Sequence, residues 1–304
     1  MNAADTVAVD AVETPLRRNT VRALFVALRP RQWTKNLLLF AGIIFAAKLG
    51  DPARLAEAVA GFVAYCAASS AAYLLNDVRD VASDRLHPLK RRRPIASGEV
   101  RRGTAYVASA SLATFALVVA AVLGPGMLAF LAGFAALQAA YTVALKHVVL
   151  VDVCAIAGLF VIRAAAGAVA VDVRISPWLL VCTALLSLFL GLGKRRGELV
   201  LVAARSTPGR RVLDRYSLAI VDRVLALVAL GTIVAYALYT VTARSSHTLV
   251  VTIPFVVFGV GRYIALLRRG GAGEEPENVL VRDVPILVTV ALWTLTCAIV
   301  LARG

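Results

Sequence analysis

The sequence predicts an all-α, polytopic membrane protein, a bundle of nine transmembrane helices. Three observations predict it. Of the 304 residues, 60% are hydrophobic, against about 45–50% in an ordinary soluble domain. Apolar runs close to the roughly 20 residues that cross a bilayer recur along the chain. Basic residues concentrate in alternate connections between those runs.

Taken in order, residues 1–20 are polar, with Arg17 and Arg18, and are expected to be a disordered tail. No apolar core precedes the first span, so the start does not read as a signal peptide. The domain proper is expected over 21–304. Its apolar runs lie near 36–50, 53–75, 104–123, 126–145, 148–171, 177–193, 221–243, 248–267 and 284–302. The first and sixth are short and must be lengthened by polar neighbours. Gly-Pro-Gly at 124–126 marks a tight turn, and Ser176-Pro177 opens the sixth span. The four cysteines, Cys66, Cys154, Cys182 and Cys297, fall inside apolar runs without ligand-like spacing and read as small buried hydrophobes.

The net charge is +15. A basic chain first suggests nucleic acid, but these cations lie between spans, where they set topology and attract anionic lipid or phosphorylated substrates. With the N-terminus in the cytoplasm, the inside segments carry 27 of the 33 lysines and arginines. That bias predicts N-in, C-out in the cell membrane. The long polar connections 76–103, 194–220 and 268–283 then all face the cytoplasm, and the site is expected there.

Two clusters carry chemistry. Asn76-Asp77-Val-Arg79-Asp80-Val-Ala-Ser-Asp84 follows the second run. If that helix continues, Asp77, Asp80 and Asp84 share one face. Acidic residues at a helix C-terminus oppose its dipole, so a cation is expected to hold them. Hard oxygen ligands suit Mg2+, with Asn76 as support. His87-Pro88-Leu89-Lys90-Arg91-Arg92-Arg93-Pro94-Ile95-Ala96-Ser97-Gly98 follows at once. Carboxylates for a metal and then cations for phosphate are what a metal-pyrophosphate substrate needs.

These two motifs together resemble the first signature of the UbiA-type prenyltransferase superfamily. That resemblance implies a nine-helix membrane bundle with cytoplasmic cap loops over a central cavity. Tyr141-Thr-Val-Ala-Leu-Lys146 resembles the family's Tyr-x-x-x-Lys motif in a looser spacing, and Arg163 resembles its intramembrane arginine. An unpaired arginine at that depth is expected to face a polar cavity. The chain departs from the family after the sixth span. Where typical members carry a second aspartate-rich motif, this chain has Gly193-Lys194-Arg195-Arg196-Gly197-Glu198. Arginine and lysine pair directly with phosphate oxygens.

That departure is similar to one branch of the family, whose members move 5-phosphoribose from phosphoribosyl pyrophosphate to decaprenyl or another polyprenyl phosphate for arabinan cell-wall synthesis. Arg29-Pro30-x-Gln32-Trp33-x-Lys35-Asn36 and Gly270-Gly271…Pro276-Glu277-x-x-Leu280-x-x-Asp283 also resemble that branch. The resemblance implies that Mg2+ on Asp77, Asp80, Asp84 and Asn76 polarises the leaving pyrophosphate. Lys194, Arg195 and Arg196 would take the ribose 5-phosphate, and Glu198 a ribose hydroxyl or an arginine. Tyr141, Lys146, Lys90 and Arg93 would line the pyrophosphate, Lys35 would meet the lipid phosphate, and Arg163 either phosphate. The Glu274–Asn278 stretch reads as a turn before the last span rather than a second metal site.

Two other readings compete. A prenyltransferase acting on an aromatic or isoprenoid acceptor would need the missing second aspartate motif. A transporter would place polar groups near the midplane, where only Arg163 lies. Membrane lipid is the expected surrounding, nucleic acid is not an expected partner, and a homo-oligomer is compatible with such a bundle. One metal or two stays open.

Overall fold

The computed structural model describes residues 19–87, 90–205, 216–242, 247–269, 279 and 282–303. Most of the expected tail, the Glu274–Asn278 stretch and the Gly270-Gly271 motif lie outside the described residues. Helices α1 (Thr20–Ala27), α2 (Phe40–Phe45), α3 (Pro52–Arg79), α4 (Val81–Leu86), α5 (Arg102–Leu123) and α6 (Pro125–Val143) come first. They are followed by α7 (Val151–Ala170), α8 (Pro177–Arg205), α9 (Leu218–Thr242), α10 (Ile253–Arg268) and α11 (Val284–Arg303). No strand occurs among the described residues.

Eight of the expected spans are helices long and apolar enough to cross a membrane. Gly124, at a φ of 117°, makes the turn between α5 and α6. Pro177 starts α8, which runs on through Lys194–Glu198 into the polar neighbours that its short apolar run required.

The first expected span takes another form. A 3-10 helix over Pro30–Leu39 leads into the six residues of α2. Side chains three apart eclipse in a 3-10 helix, and the burial follows that period. Asn36 and Leu39 are fully buried in line with Trp33, whereas Arg31, Thr34 and Leu37 are exposed. A 3-10 helix rises about 2.0 Å per residue and an α-helix 1.5 Å. Laid end to end at these rises, sixteen residues would reach about 29 Å, against roughly 30 Å for a hydrocarbon core. Hydropathy alone marks the run but does not distinguish this stretched geometry from a short α-helix.

Packing explains why the segment is held. A Cβ on Gly167 of α7 would meet the Leu39 carbonyl oxygen at 2.0 Å, and one on Gly42 would meet the Ala168 nitrogen at 2.6 Å. The two backbones touch, as small residues allow in membrane bundles. The surrounding core is alanine-rich, with Ala64, Ala116, Ala120 and Ala166 buried beside Tyr65, Met127 and Phe134. Large apolar chains such as Val122, Leu227 and Leu295 point outward, as expected where the solvent is hydrocarbon. Cys66 and Cys297 are buried, but Cys154 is exposed, which corrects the expectation that all four thiols are interior. It lies on an outward face of α7, a face that an apolar run does not specify.

Antiparallel packing brings the ends of α3, α6, α8 and α10 to one end of the bundle, with the starts of α5, α7, α9 and α11. Ion pairs Arg195–Asp152, Arg196–Asp222 and Arg262–Asp283 tie these ends together.

Candidate active site

Helix α3 stops at Arg79, and Asp80 caps it at a φ of −90° and a ψ of 4°. The acidic stripe therefore does not run along one unbroken helix. Asp77 at the end of α3 and Asp84 in α4 nevertheless face each other, each only 3% exposed. Arg93 Nη1 lies 3.2 Å from Asp77 Oδ1 and 2.7 Å from Asp84 Oδ2, which holds the two oxygens within about 6 Å. Asp80 is half-exposed, and its carboxylate has no partner among the described residues. Asn76 is half-buried, and its carbonyl accepts the Asp80 amide at 2.9 Å.

The loop carrying Arg93 is fixed by buried Ile95, Ala96 and Val100. Arg85 Nε donates to the Ala96 carbonyl at 3.0 Å. Lys90 stands exposed in a short 3-10 turn, Lys90–Arg92.

Arg29 completes this cluster. Its left-handed backbone, at a φ of 57°, lies at the break between α1 and the 3-10 helix. Its guanidinium donates to Asp77 Oδ1 at 2.5 Å and stacks 4.9 Å over the Tyr73 ring. A cavity of about 240 Å³ opens here, lined by Val26, Ala27, Arg29, Asp77, Arg92, Arg93 and Pro94.

A second network occupies the end of α8. Arg195 is fully buried. Its Nε makes an ion pair with Asp152 Oδ2 at 2.6 Å, off the direction of an aligned hydrogen bond, and its Nη1 pairs with Glu198. Its Nη2 is buried without a partner among the described residues. Tyr141 lies within electrostatic reach of this guanidinium. Tyr216 donates to Asp152 Oδ1 at 2.8 Å and accepts the Leu150 amide at 2.8 Å. Burial, chiefly, pushes its hydroxyl up to about 12, so it stays a donor at neutral pH. Arg196 Nε donates to Asp222 at 2.6 Å and Nη1 to the Leu267 carbonyl at 2.8 Å. Lys194 and Lys146 are half-buried, with no partner among the described residues.

Arg163 sits deeper. Its Nε donates to Asn36 Oδ1 at 2.7 Å, its Nη1 to the Leu159 carbonyl at 2.9 Å, and Phe134 lies under its charge at 4.5 Å. The expected open polar cavity is replaced here by a neutral amide and an aromatic face. Lys35 is half-buried one residue before Asn36.

The structure thus brings Asp77, Asp84 and Arg93 together, and separately Arg195 with Glu198 and Tyr141. Asp152, Asp222 and Tyr216 carry no role in the sequence motifs. Asp152 had a signal of its own, an acid inside an apolar run, which needs a partner at membrane depth.

Mg2+ usually takes one or two carboxylates plus substrate phosphates. Among the described residues no three carboxylate, histidine or cysteine side chains form a ready metal cage. Two facing carboxylates beside a cation-lined cavity fit a metal that arrives with pyrophosphate.

Comparison with known proteins agrees with the fold. Residues 37–194 match the UbiA prenyltransferase family. The decaprenyl-phosphate phosphoribosyltransferase of Mycolicibacterium smegmatis is 37% identical over 91% of this chain and 91% of its own length. The proteins of that name from Mycobacterium tuberculosis and Corynebacterium glutamicum are 36% and 32% identical, over 94% and 91% of this chain and 96% and 86% of their own lengths. A UbiA homolog from Archaeoglobus fulgidus, solved with GPP and Mg2+, superposes with a TM-score of 0.71 at 17% identity. It covers 93% of this chain and all of its own. With eight membrane-length helices, the same bundle and these relatives, the chain belongs to the UbiA prenyltransferase family.

Proposed function

We propose that the protein transfers 5-phosphoribose from phosphoribosyl pyrophosphate to a polyprenyl phosphate such as decaprenyl phosphate, in a Mg2+-dependent reaction that releases pyrophosphate and supplies arabinan synthesis. The observation that carries this reading is the pairing of one carboxylate couple, Asp77–Asp84, with a second cluster, Lys194–Arg196, in which Arg195 and Arg196 are held by carboxylates while Lys194 and the Arg195 Nη2 have no partner among the described residues. A transferase using two metal-bound pyrophosphate motifs would carry an aspartate-rich motif in place of Lys194-Arg195-Arg196. The names of the relatives, which match nearly end to end, point the same way.

Bound at Asp77 and Asp84, with Asp80 and Asn76 beside them, Mg2+ would supply Lewis-acid stabilisation of the leaving pyrophosphate. Arg93, which lines the cavity, and Lys90, three residues before it, suit the pyrophosphate oxygens. Lys194, free of partners among the described residues, and the unpaired Nη2 of Arg195 suit the ribose 5-phosphate. Glu198 orients Arg195, Tyr141 lies within its electrostatic reach, and Lys146 is suited to the pyrophosphate. Lys35 is suited to the lipid phosphate. In the transfer, the C1–oxygen bond to pyrophosphate breaks and a lipid phosphate oxygen bonds to C1. That oxygen is anionic at neutral pH, so no side chain need remove its proton. Arg163, buried against Asn36, serves better as a structural link between α7 and the 3-10 helix than as a phosphate ligand. The lysine and arginine bias supports a cytoplasmic N-terminus and a site on the cytoplasmic face of the cell membrane.

The test is incubation of purified protein with Mg2+, radiolabelled phosphoribosyl pyrophosphate and decaprenyl phosphate, counting label in the organic phase. Label that disappears with chelator and in Asp77→Asn supports the reading. Turnover of a prenyl pyrophosphate with an aromatic acceptor instead would replace it with the prenyltransferase reading.

A further inference from the structure

Two guanidiniums occupy one oxygen of each carboxylate in the couple that would hold a divalent cation. Arg29 Nη2 and Arg93 Nη1 both contact Asp77 Oδ1, and Arg93 also bridges to Asp84. Two negative charges are balanced by two positive ones. A divalent cation entering this couple with both arginines in place would put like charges in contact in a pocket whose carboxylates are almost wholly shielded from water. The cation therefore has to exchange with them.

The geometry singles out these two arginines as exchangeable. Both side chains are 29% exposed, against 1% for Arg195. Both line the same cavity of about 240 Å³. Each engages its carboxylate through one terminal nitrogen, and the other nitrogens of the guanidinium fork have no hydrogen bond to a described residue. Neither sits within a long helix: Arg29 is at a backbone break and Arg93 is in a loop. A guanidinium binds phosphate oxygens through two parallel N–H groups.

Resting on the function proposed above, we propose that Arg29 and Arg93 are resident counter-ions of the Asp77–Asp84 couple that transfer to the pyrophosphate of the incoming donor when a divalent cation takes the carboxylates. Cation and pyrophosphate then bind cooperatively, and each raises the affinity of the other by the same factor. Arg29 becomes a substrate-binding residue, a role that its motif alone does not disclose.

The experiment uses Mn2+ as the cation and inorganic pyrophosphate as the anion, with full-length protein in detergent. Mn2+ uptake is read by electron paramagnetic resonance and pyrophosphate retention by a 32P label. At a free Mn2+ concentration well below half-saturation of the protein alone, pyrophosphate should raise retained Mn2+ at least tenfold in the unmodified protein. No rise overturns the proposal whatever the variants do. Arg93→Gln should bind Mn2+ alone at least tenfold more tightly, because its carboxylates lose a competing cation. The same variant should hold pyrophosphate at saturating Mn2+ at least tenfold more weakly. Arg29→Gln should move both quantities in the same directions and stands in if Arg93→Gln does not fold. Loss of both affinities in both folded variants makes the arginines mere supports and overturns the exchange. Asp77→Asn separates the two levels. If it abolishes Mn2+ uptake, the metal assignment stands independently of the exchange; if uptake is undiminished, the metal assignment and the exchange fall together.

Discussion

Arg163 donates its Nε hydrogen to Asn36 Oδ1 at 2.7 Å, linking α7 to the 3-10 helix across 127 positions of sequence. The amide is fully buried and the arginine nearly so. A hydrogen bond to a charged group contributes about 1.5–3 kcal/mol, and leaving a buried cation short of an acceptor adds to the loss. Asn36→Ala should therefore destabilise the protein by about 2–3 kcal/mol. Thermal unfolding in detergent measures it, and an unchanged midpoint would refute a structural role for the pair.

Gly167 is the tightest point of the bundle. The alanine variant must push apart backbones whose separation leaves a Cβ 2.0 Å from the Leu39 oxygen. Overpacking of this kind costs about 1–3 kcal/mol, and contact with backbone places Gly167→Ala at the upper end. Gly133→Ala meets nothing within 4 Å and should be neutral or stabilising by up to about 1 kcal/mol. The same unfolding assay on both variants makes the comparison, and equal effects would show that the close approach is unimportant.

Transfer activity should fall at least 100-fold in Asp77→Asn and Asp84→Asn, an estimate on the order of one preorganised electrostatic contact. Chelator should do the same to the unmodified protein, with recovery on added Mg2+. Organic-phase label at saturating substrates is the readout. Wild-type rates in either variant would remove these carboxylates from the chemistry.

Asp152 is fully buried against Arg195. Removing one partner of a buried pair costs about 3–5 kcal/mol, so Asp152→Asn should destabilise by about 3 kcal/mol, while Tyr216→Phe should cost about 1 kcal/mol for one lost hydrogen bond. If urea or thermal unfolding ranks them the other way, the tyrosine rather than the acid organises this corner.

Asp283 gives the pH test. The Arg262 side chain, bonded to it at 2.9 Å, holds its carboxyl below the ordinary carboxylate value. A depressed folded value means that the stabilisation is present above the unfolded value of about 3.9 and is lost as pH falls through the lower folded one. The unfolding midpoint of the unmodified protein should drop more steeply below about pH 4 than that of Asp283→Asn. Parallel curves would dismiss the pair as a contributor.

Much of this was legible in the chain. Apolar run length located eight helices, and the residues Gly124-Pro125 and Ser176-Pro177 fixed two of their boundaries. The acidic spacing pointed to Asp77 and Asp84, although a kink at Asp80, which spacing does not encode, sets how they meet. What stayed hidden depends on register between distant helices. Nothing near Arg195 in sequence announces Asp152, and nothing near Arg163 announces Asn36. Positive-inside patterning counts charges without saying which are neutralised by a neighbour, so Arg196 reads as a free cation until Asp222 is seen beside it.

The Asn36–Arg163 bond also sets an order of assembly. A ribosome adding 5–20 residues per second makes Arg163 roughly 6–25 s after Asn36, given their 127-residue separation. Until then the amide cannot gain this partner, and the 3-10 helix lacks the Gly167 groove that receives it. The contacts that hold the first apolar segment of the sequence therefore form only after α7 has been made.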